Sequence, residues 1–172
     1  KPRSLAMWIK ASSSSTTGTL ASWGAPGNGL GWNFSIKTGR LGIDVGGGEL
    51  TGSTIVNDDA WHHVALVFPA IGSGVEDIVL YVDGAVENNP INVAQAINTG
   101  NQFDFKIGTD ENGNHFNGQI DEVRLYAKAL DSAEVKSLYL YESQKIPSGH
   151  FHQFRLTDFE IEYQDLAGNI GV

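Results

Sequence analysis

Hydrophobic and polar residues alternate along most of this chain, and the repeat is two rather than three or four. Gly118–Tyr126 reads GQIDEVRLY, with Ile120, Glu122, Arg124 and Tyr126 set against Asp121, Val123 and Leu125. Successive strand residues point to opposite faces, so this alternation predicts a β-strand. Ser4–Lys10 alternates too, but both of its faces are largely apolar, as in a strand inside a two-sheet sandwich. Further strands are predicted at Thr19–Trp23, Trp61–Phe68, Asp77–Val82 and Phe103–Ile107. Leu30–Lys37 and Arg40–Val45 form a predicted hairpin across Thr38-Gly39, broken afterwards by Gly46-Gly47-Gly48. Asp83-Gly84 is a second hairpin signal, and Glu87–Gly100, with Pro90, reads as a broken strand plus loop. The one predicted helix is Asp131–Tyr139, where Asp131 and Glu134 form a capping box and Val135, Leu138 and Tyr139 share a face.

The expected fold is therefore all-β: a two-sheet antiparallel sandwich of jelly-roll type, with one short helix near Asp131–Tyr139. The 172 residues suit one domain with a proper core. Residues 1–145 carry that pattern, and residues 146–172 form a tail of different character. The opening Lys1-Pro2-Arg3-Ser4 lies close to the first strand, so the chain reads as a segment of a longer protein.

Charge narrows the partners. Lys and Arg number 11 and Asp and Glu 20, a net charge of −9. Such a surface repels nucleic-acid phosphates and anionic lipid, and it suits cations, calcium above all. No apolar run approaches the roughly 18 residues that a membrane-spanning helix needs. Cysteine is absent, which for an extracellular protein points to a bacterial surface more than to an animal secreted domain.

Several side chains are candidates for chemistry. Trp23 and Trp32 flank the turn cluster GAPGNG, which contains Asn28. Aromatic rings stack on sugar CH faces while amides bond hydroxyls, so these three are candidate ligand residues, with core packing as the alternative for the tryptophans. Asp110, Asn112 and Asn114 place oxygen-bearing side chains at alternate positions of a loop, like the opening of a calcium site. Position 115 holds His where an EF-hand needs Gly, and no helices flank the loop, so a true EF-hand is excluded. Asn112 and Asn114 are also candidate glycan contacts. His62 and His63 are neighbours on a strand and face opposite sides, one inward against Trp61 and one outward. Trp8 and Trp61 are expected in the core. His150 and His152 could share a strand face and are read as a surface coincidence. No nucleophile elbow, cysteine nucleophile or phosphate loop is present.

Six segments in order carry a resemblance: Met7-Trp8-Ile9-Lys10, Trp61–Leu66, Val79–Gly84, Ile107-Gly108, Phe116–Tyr126 and Ala129–Val135. Together they resemble the concanavalin A-like, laminin G-like jelly rolls over roughly residues 4–140. That resemblance implies two antiparallel sheets with binding at loops or on the concave face. It also implies that Asp121, in IDEV, can ligate a structural calcium. The family's glucanases carry a Glu-x-Asp-x-x-Glu strand, which has no counterpart here, so no catalytic residue is assigned. Family members usually have a stretch ahead of the first of these strands that is almost absent here. The tail, with Phe159–Tyr163 alternating before Asp165–Asn169 (DLAGN), resembles the end of Ig-like repeats in bacterial adhesins. It either begins a neighbouring module or supplies a strand that completes this one.

The expected function is a non-catalytic, extracellular or cell-surface binding module, lectin-like, within a larger bacterial adhesin or secreted protein. Its partners would be a glycan or host-surface ligand and neighbouring domains of the same chain, with calcium as cofactor. The alternatives are a structural or protein-interaction spacer and an accessory domain of a polysaccharide-degrading enzyme.

Overall fold

The computed structural model describes residues 1, 3–69, 73–88, 91–99 and 104–144, together with the backbone of 163–164 and 170–171. Eleven strands and a helix follow one another through the domain: β1 Arg3–Ala11, β2 Thr17–Gly24, β3 Gly31–Lys37, β4 Arg40–Asp44, β5 Glu49–Ile55, β6 Trp61–Phe68, β7 Val79–Val82, β8 Ala85–Val86, β9 Ile91–Val93, β10 Lys106–Ile107, β11 Gly118–Tyr126 and α1 Ser132–Ser143. They build two antiparallel sheets, a five-stranded one in the order β11-β1-β6-β7-β8 and a six-stranded one in the order β10-β2-β3-β4-β5-β9. The inward rows of both sheets close on one core that includes Met7, Ile9, Leu66, Trp32, Phe34 and Ile43. This is the expected sandwich.

Several elements depart from the sequence pattern. β5 was not expected, because ELTGSTI shows little alternation and carries Gly52. Its ladder with β4, from Asp44↔Glu49 to Arg40↔Ile55, makes it a strand regardless. A Cβ at Gly52 would push the Glu87 carboxylate away from the Ser53 hydroxyl and the Thr54 amide that it accepts from. Ahead of β7, residues Val75–Asp77 form a 3-10 turn rather than the start of the strand. The alternation of β11 is also interrupted. Ala6 pairs with Arg124 and Trp8 with Asp121, so Met7 faces two residues of β11, and Glu122 takes a left-handed φ of 48°. This β-bulge puts both Ile120 and Val123 against the core and moves Tyr126 to the opposite face.

That opposite face explains why β1 and β6 are apolar on both sides. α1 lies across it, packing Val135 and Leu138 with Ala6, Ala65 and Tyr81. The capping box forms as expected: the Glu134 amide donates to Asp131 Oδ1 at 2.8 Å and the Asp131 amide donates to Glu134 Oε2 at 2.9 Å. The helix runs a turn beyond its expected end at Tyr139 because Glu142 is anchored. Its carboxylate is 1% exposed, accepts from Trp8 Nε1 at 3.0 Å and pairs with Arg124 Nε at 2.5 Å. A second Arg124 nitrogen reaches Glu122 at 2.6 Å.

The two neighbouring histidines face opposite sides, as their strand position requires. His63 is fully buried beneath α1, and its ring meets the edge of Trp8 at 5.6 Å rather than Trp61, which is only half-buried. Neither of its ring nitrogens has a hydrogen-bond partner, and Nε2 lies 3.6 Å from Glu142 Oε2. Burial, with a smaller push from Arg124, lowers the His63 pKa to about 4, so the ring is neutral at pH 7. Burial raises the Glu142 pKa against the opposing pull of Arg124. His62 is clamped between Asp83 (Nδ1, 2.8 Å) and Asp58 (Nε2, 3.1 Å), and the Asp83 bond raises its pKa.

The tail from residue 146 onward, including His150, His152, Phe159–Tyr163 and the DLAGN segment, lies outside the described residues apart from the short antiparallel ladder Tyr163↔Gly171 and Gln164↔Ile170.

Two outcomes are expected. Glu142→Ala leaves Arg124 and the Trp8 indole without their acceptor under the helix. Because Arg124 is partly exposed, the loss is set at about 2–3 kcal/mol, read as a fall in thermal midpoint of roughly 4–12 °C. The His63 contribution has a definite sign. Its folded pKa is depressed, so its stabilisation is complete above the unfolded value of 6.5 and declines as pH falls toward about 4, by at most about 3 kcal/mol. The raised pKa values of His62 and Glu142 act in the opposite direction. The difference in melting temperature between the parent and His63→Gln should therefore shrink steadily from pH 7 to 4.5; a difference independent of pH would rule out this account.

Candidate functional site on the polar face of the six-stranded sheet

β3 is the centre of the candidate site. Trp32, Phe34 and Ile36 point into the core, so Asn33, Ser35 and Lys37 point outward. The register carries the outward row across the sheet: Lys106↔Ser22, Ser22↔Asn33, Asn33↔Asp44, Asp44↔Glu49 and Glu49↔Val93. With neighbouring strands about 4.8 Å apart, this row is roughly 24 Å long. A second row, Thr19–Ser35–Gly42–Thr51, has only short side chains and forms a low floor beside it. Lys37 leans across to bond Asp44 at 3.3 Å and Glu49 at 2.6 Å. Val93, 52% exposed, ends the row with an apolar side chain.

The loop between β10 and β11 walls one end. Asp110 is its hub. Oδ1 accepts from the amides of Asn112 (2.9 Å) and Asn114 (3.0 Å), and Oδ2 accepts from the side-chain amides of Asn114 (2.7 Å) and Asn33 (3.0 Å). Burial pushes the Asp110 pKa up, but the hydrogen bonds from Asn114, Asn112 and Asn33 outweigh it and hold the carboxyl below its ordinary value. Ser22 Oγ donates to Thr109 O at 2.9 Å, and Lys106 pairs with Glu111 at 2.9 Å. The loop is thus tied to β2, β3 and β10 through side chains that stand in the outward row.

This arrangement does not fit calcium on Asp110, Asn112 and Asn114. A calcium ion needs six to eight oxygens directed at it. Here the carboxylate faces four N–H donors, and Asn114 presents nitrogen rather than oxygen to it. Asp121 belongs to the other sheet, half-buried in the β11 bulge, where Oδ1 accepts from the Glu122 amide at 2.8 Å. Among the described residues, no three His, Asp or Glu side chains come together with the spacing of a metal site.

The tryptophans expected to meet ligand pack against one another. Trp32 is 1% exposed and stacks on half-buried Trp23 at 5.0 Å, with Phe105 at 5.4 Å from the Trp23 ring. The Arg3 guanidinium lies 4.1 Å from the Trp32 ring centre, and Arg3 Nη2 and Trp32 Nε1 both donate to Thr99 Oγ1, at 2.7 and 2.5 Å. The Trp32 ring therefore has no face left for a sugar; the core-packing alternative describes it. Asn28 is exposed in the β2–β3 loop, near Gly47 and Gln95, where Gly29 N donates to Gly46 O at 2.9 Å. This loop cluster lies at the end of the sheet from which Asp44 and Glu49 emerge. Sequence reading missed Asn33, Asp44, Glu49 and Ser22. For Asn33 the signal was the alternation in WNFSIK, which sorts Asn33, Ser35 and Lys37 onto one face; Ser22, Asp44 and Glu49 join it only through the strand register.

The family model of the concanavalin A-like lectin/glucanase superfamily matches residues 1–136. A relative from Rattus norvegicus, a sushi, von Willebrand factor type A, EGF and pentraxin domain-containing protein, is 30% identical over 144 residues. The match covers 77% of this chain and spans only 4% of that protein's length. Among solved structures, the CBM40 domain of a Ruminococcus gnavus IT-sialidase, bound to α2,3-sialyllactose, aligns with a TM-score of 0.61 at 16% identity, covering 81% of this chain and 83% of that one. The binding domain of botulinum neurotoxin serotype D/C aligns with a TM-score of 0.55 at 16% identity, covering 82% and 36%. At such identities the structural likeness speaks for the fold, while the family match extends from β1 into α1. The chain belongs to the concanavalin A-like lectin/glucanase superfamily.

Proposed function

We propose that this chain is a non-catalytic carbohydrate-binding module and that its glycan lies along the outward row of the six-stranded sheet. The observation that carries this reading is the row itself: an amine, a hydroxyl, an amide and two carboxylates (Lys106, Ser22, Asn33, Asp44, Glu49) in line across five strands and ended by Val93 on the sixth, beside a floor of Ser35, Gly42 and Thr51. A sugar presents many hydroxyls, each both donor and acceptor, and a mixed row of this kind satisfies them in sequence. The carbohydrate-bound CBM40 neighbour supports the same class of ligand. Four carboxylates (Asp44, Glu49, Asp110, Glu111) outnumber two amines (Lys37, Lys106) on and beside the row, which selects neutral glycans over acidic ones. A module with this task serves outside the cell or at its surface, joined to other domains of a larger bacterial adhesin or secreted protein.

A second reading, a protein-interaction module, draws on the far side of the molecule. A cleft of about 510 Å³ opens between α1 and the end of β11, lined by Tyr126, Leu130, Leu138 and Tyr141 among others, with Leu140 exposed nearby.

Glycan-array binding, with and without EDTA, separates the two readings. The expected result is binding to neutral glycans that EDTA leaves unchanged, with each glycan recovered intact in mass after incubation. Asn33→Ala and Asp44→Ala should each weaken binding about five- to tenfold, the worth of roughly one hydrogen bond, with the Asp44→Ala chain still melting cooperatively although the Gly46 amide loses its acceptor. A protein that binds no glycan in either condition overturns the proposal and favours the cleft.

A further inference from the structure

The sequence contains three Asn-Gly steps: Asn28-Gly29, Asn112-Gly113 and Asn117-Gly118. Glycine leaves the following amide nitrogen unhindered, so each step is able to cyclise. The nitrogen attacks the asparagine Cγ, ammonia departs, and water opens the resulting succinimide to aspartate or isoaspartate. In an unfolded chain the three are chemically similar. The fold makes them unequal.

Gly29 is held. Its N–H donates to Gly46 O at 2.9 Å, its carbonyl accepts from Asn98 N at 2.8 Å, and the Ala96 carbonyl crowds its Cα. Gly118 is exposed but opens β11 in register with Ala11, and the Lys10 carbonyl and the Phe116 ring lie within 3.0 Å of the position a Cβ would take, so the ladder and these neighbours hold its backbone. Neither nitrogen can turn toward its asparagine without local opening. Gly113 differs in the space around it and in its bonding: nothing lies within 4 Å of the position a Cβ would take, and its N–H makes only a long 3.3 Å bond to Asp110 O. All three asparagines are exposed, and Gly29 shares the left-handed backbone of Gly113, with φ of 71° and 77°, so neither exposure nor φ separates the sites.

We infer that Asn112 is a selective site of spontaneous deamidation, set apart from the other two Asn-Gly steps by the open backbone of Gly113. The consequence is local and directed. The product adds a carboxylate two residues from Asp110, and the isoaspartate form adds a methylene to the main chain at the residue whose amide holds Asp110 Oδ1. Like charge and a lengthened backbone both loosen the hub that fixes Asn33. The modification stands without any assumption about ligand; its effect on glycan binding rests on the function proposed above.

The test holds the folded chain in mildly alkaline buffer at physiological temperature, alongside a urea-unfolded sample. Both are digested and read by mass spectrometry with fragmentation that separates isoaspartate from aspartate. In urea the three sites should react within about twofold of one another, and in the folded chain residue 112 should lead residues 28 and 117 by at least about tenfold, since the latter require local opening. Equal rates at residue 28 or 117 in the folded chain, or an unreactive residue 112, would overturn the inference. Because rates are read site by site, failure here is distinct from failure of the glycan proposal.

Discussion

The structure depends on the register of β3. Its inward residues, Trp32, Phe34 and Ile36, are each at most 1% exposed, and its outward residues supply the polar row. A strand's faces alternate with every residue, so a slip of one position would drive Asn33 and Lys37 into the core and expose two large aromatics. The strand cannot slip, because β2 and β4 hold it from both sides and the hairpin at Thr38-Gly39 fixes its end. The residue spacing that builds the core therefore also builds the candidate binding surface. The two are one pattern seen from opposite sides.

The five-stranded sheet solves a different problem. Both of its faces are apolar at β1 and β6, so one must be covered by something other than the opposing sheet. α1 provides the cover, and the bulge at Glu122 allows a single edge strand to serve both layers. Ahead of the bulge β11 turns Ile120 to the core, and beyond it the strand turns Arg124 and Tyr126 toward the helix. The buried carboxylate of Glu142 is tolerated because Trp8 and Arg124 both donate to it.

Most of this fold was legible in the chain. The strands with strong alternation, the Thr38-Gly39 and Asp83-Gly84 turns and the Asp131 capping box all rest on local chemistry, and each lies where the sequence places it. What escaped was set by tertiary neighbours. β5 has weak intrinsic preference and is a strand because β4 pairs with it. α1 extends to Ser143 because Glu142 finds partners that are distant in sequence. Trp23 and Trp32 beside a turn suggested a sugar platform, but Arg3 and Thr99 close over Trp32 from far along the chain. Asp110 was legible as the centre of its loop, but not the four N–H groups of Asn112, Asn114 and Asn33 that the fold brings to its carboxylate, one of them from a distant strand.

The bonds that secure the finished domain join residues far apart in the chain. Trp8 meets Glu142 across 134 positions, Ser4 meets the carbonyl of Lys128 across 124, and Arg3 meets Thr99 across 96. Each closes a long loop whose entropy must be lost before any contact repays it, which slows folding. α1 is also the last of these elements to leave the ribosome. Until it docks, a growing chain presents Trp8, His63 and Tyr81 on an uncovered sheet face, so this second apolar layer stays open to water after the two sheets have closed on each other, until residues through Glu142 have emerged.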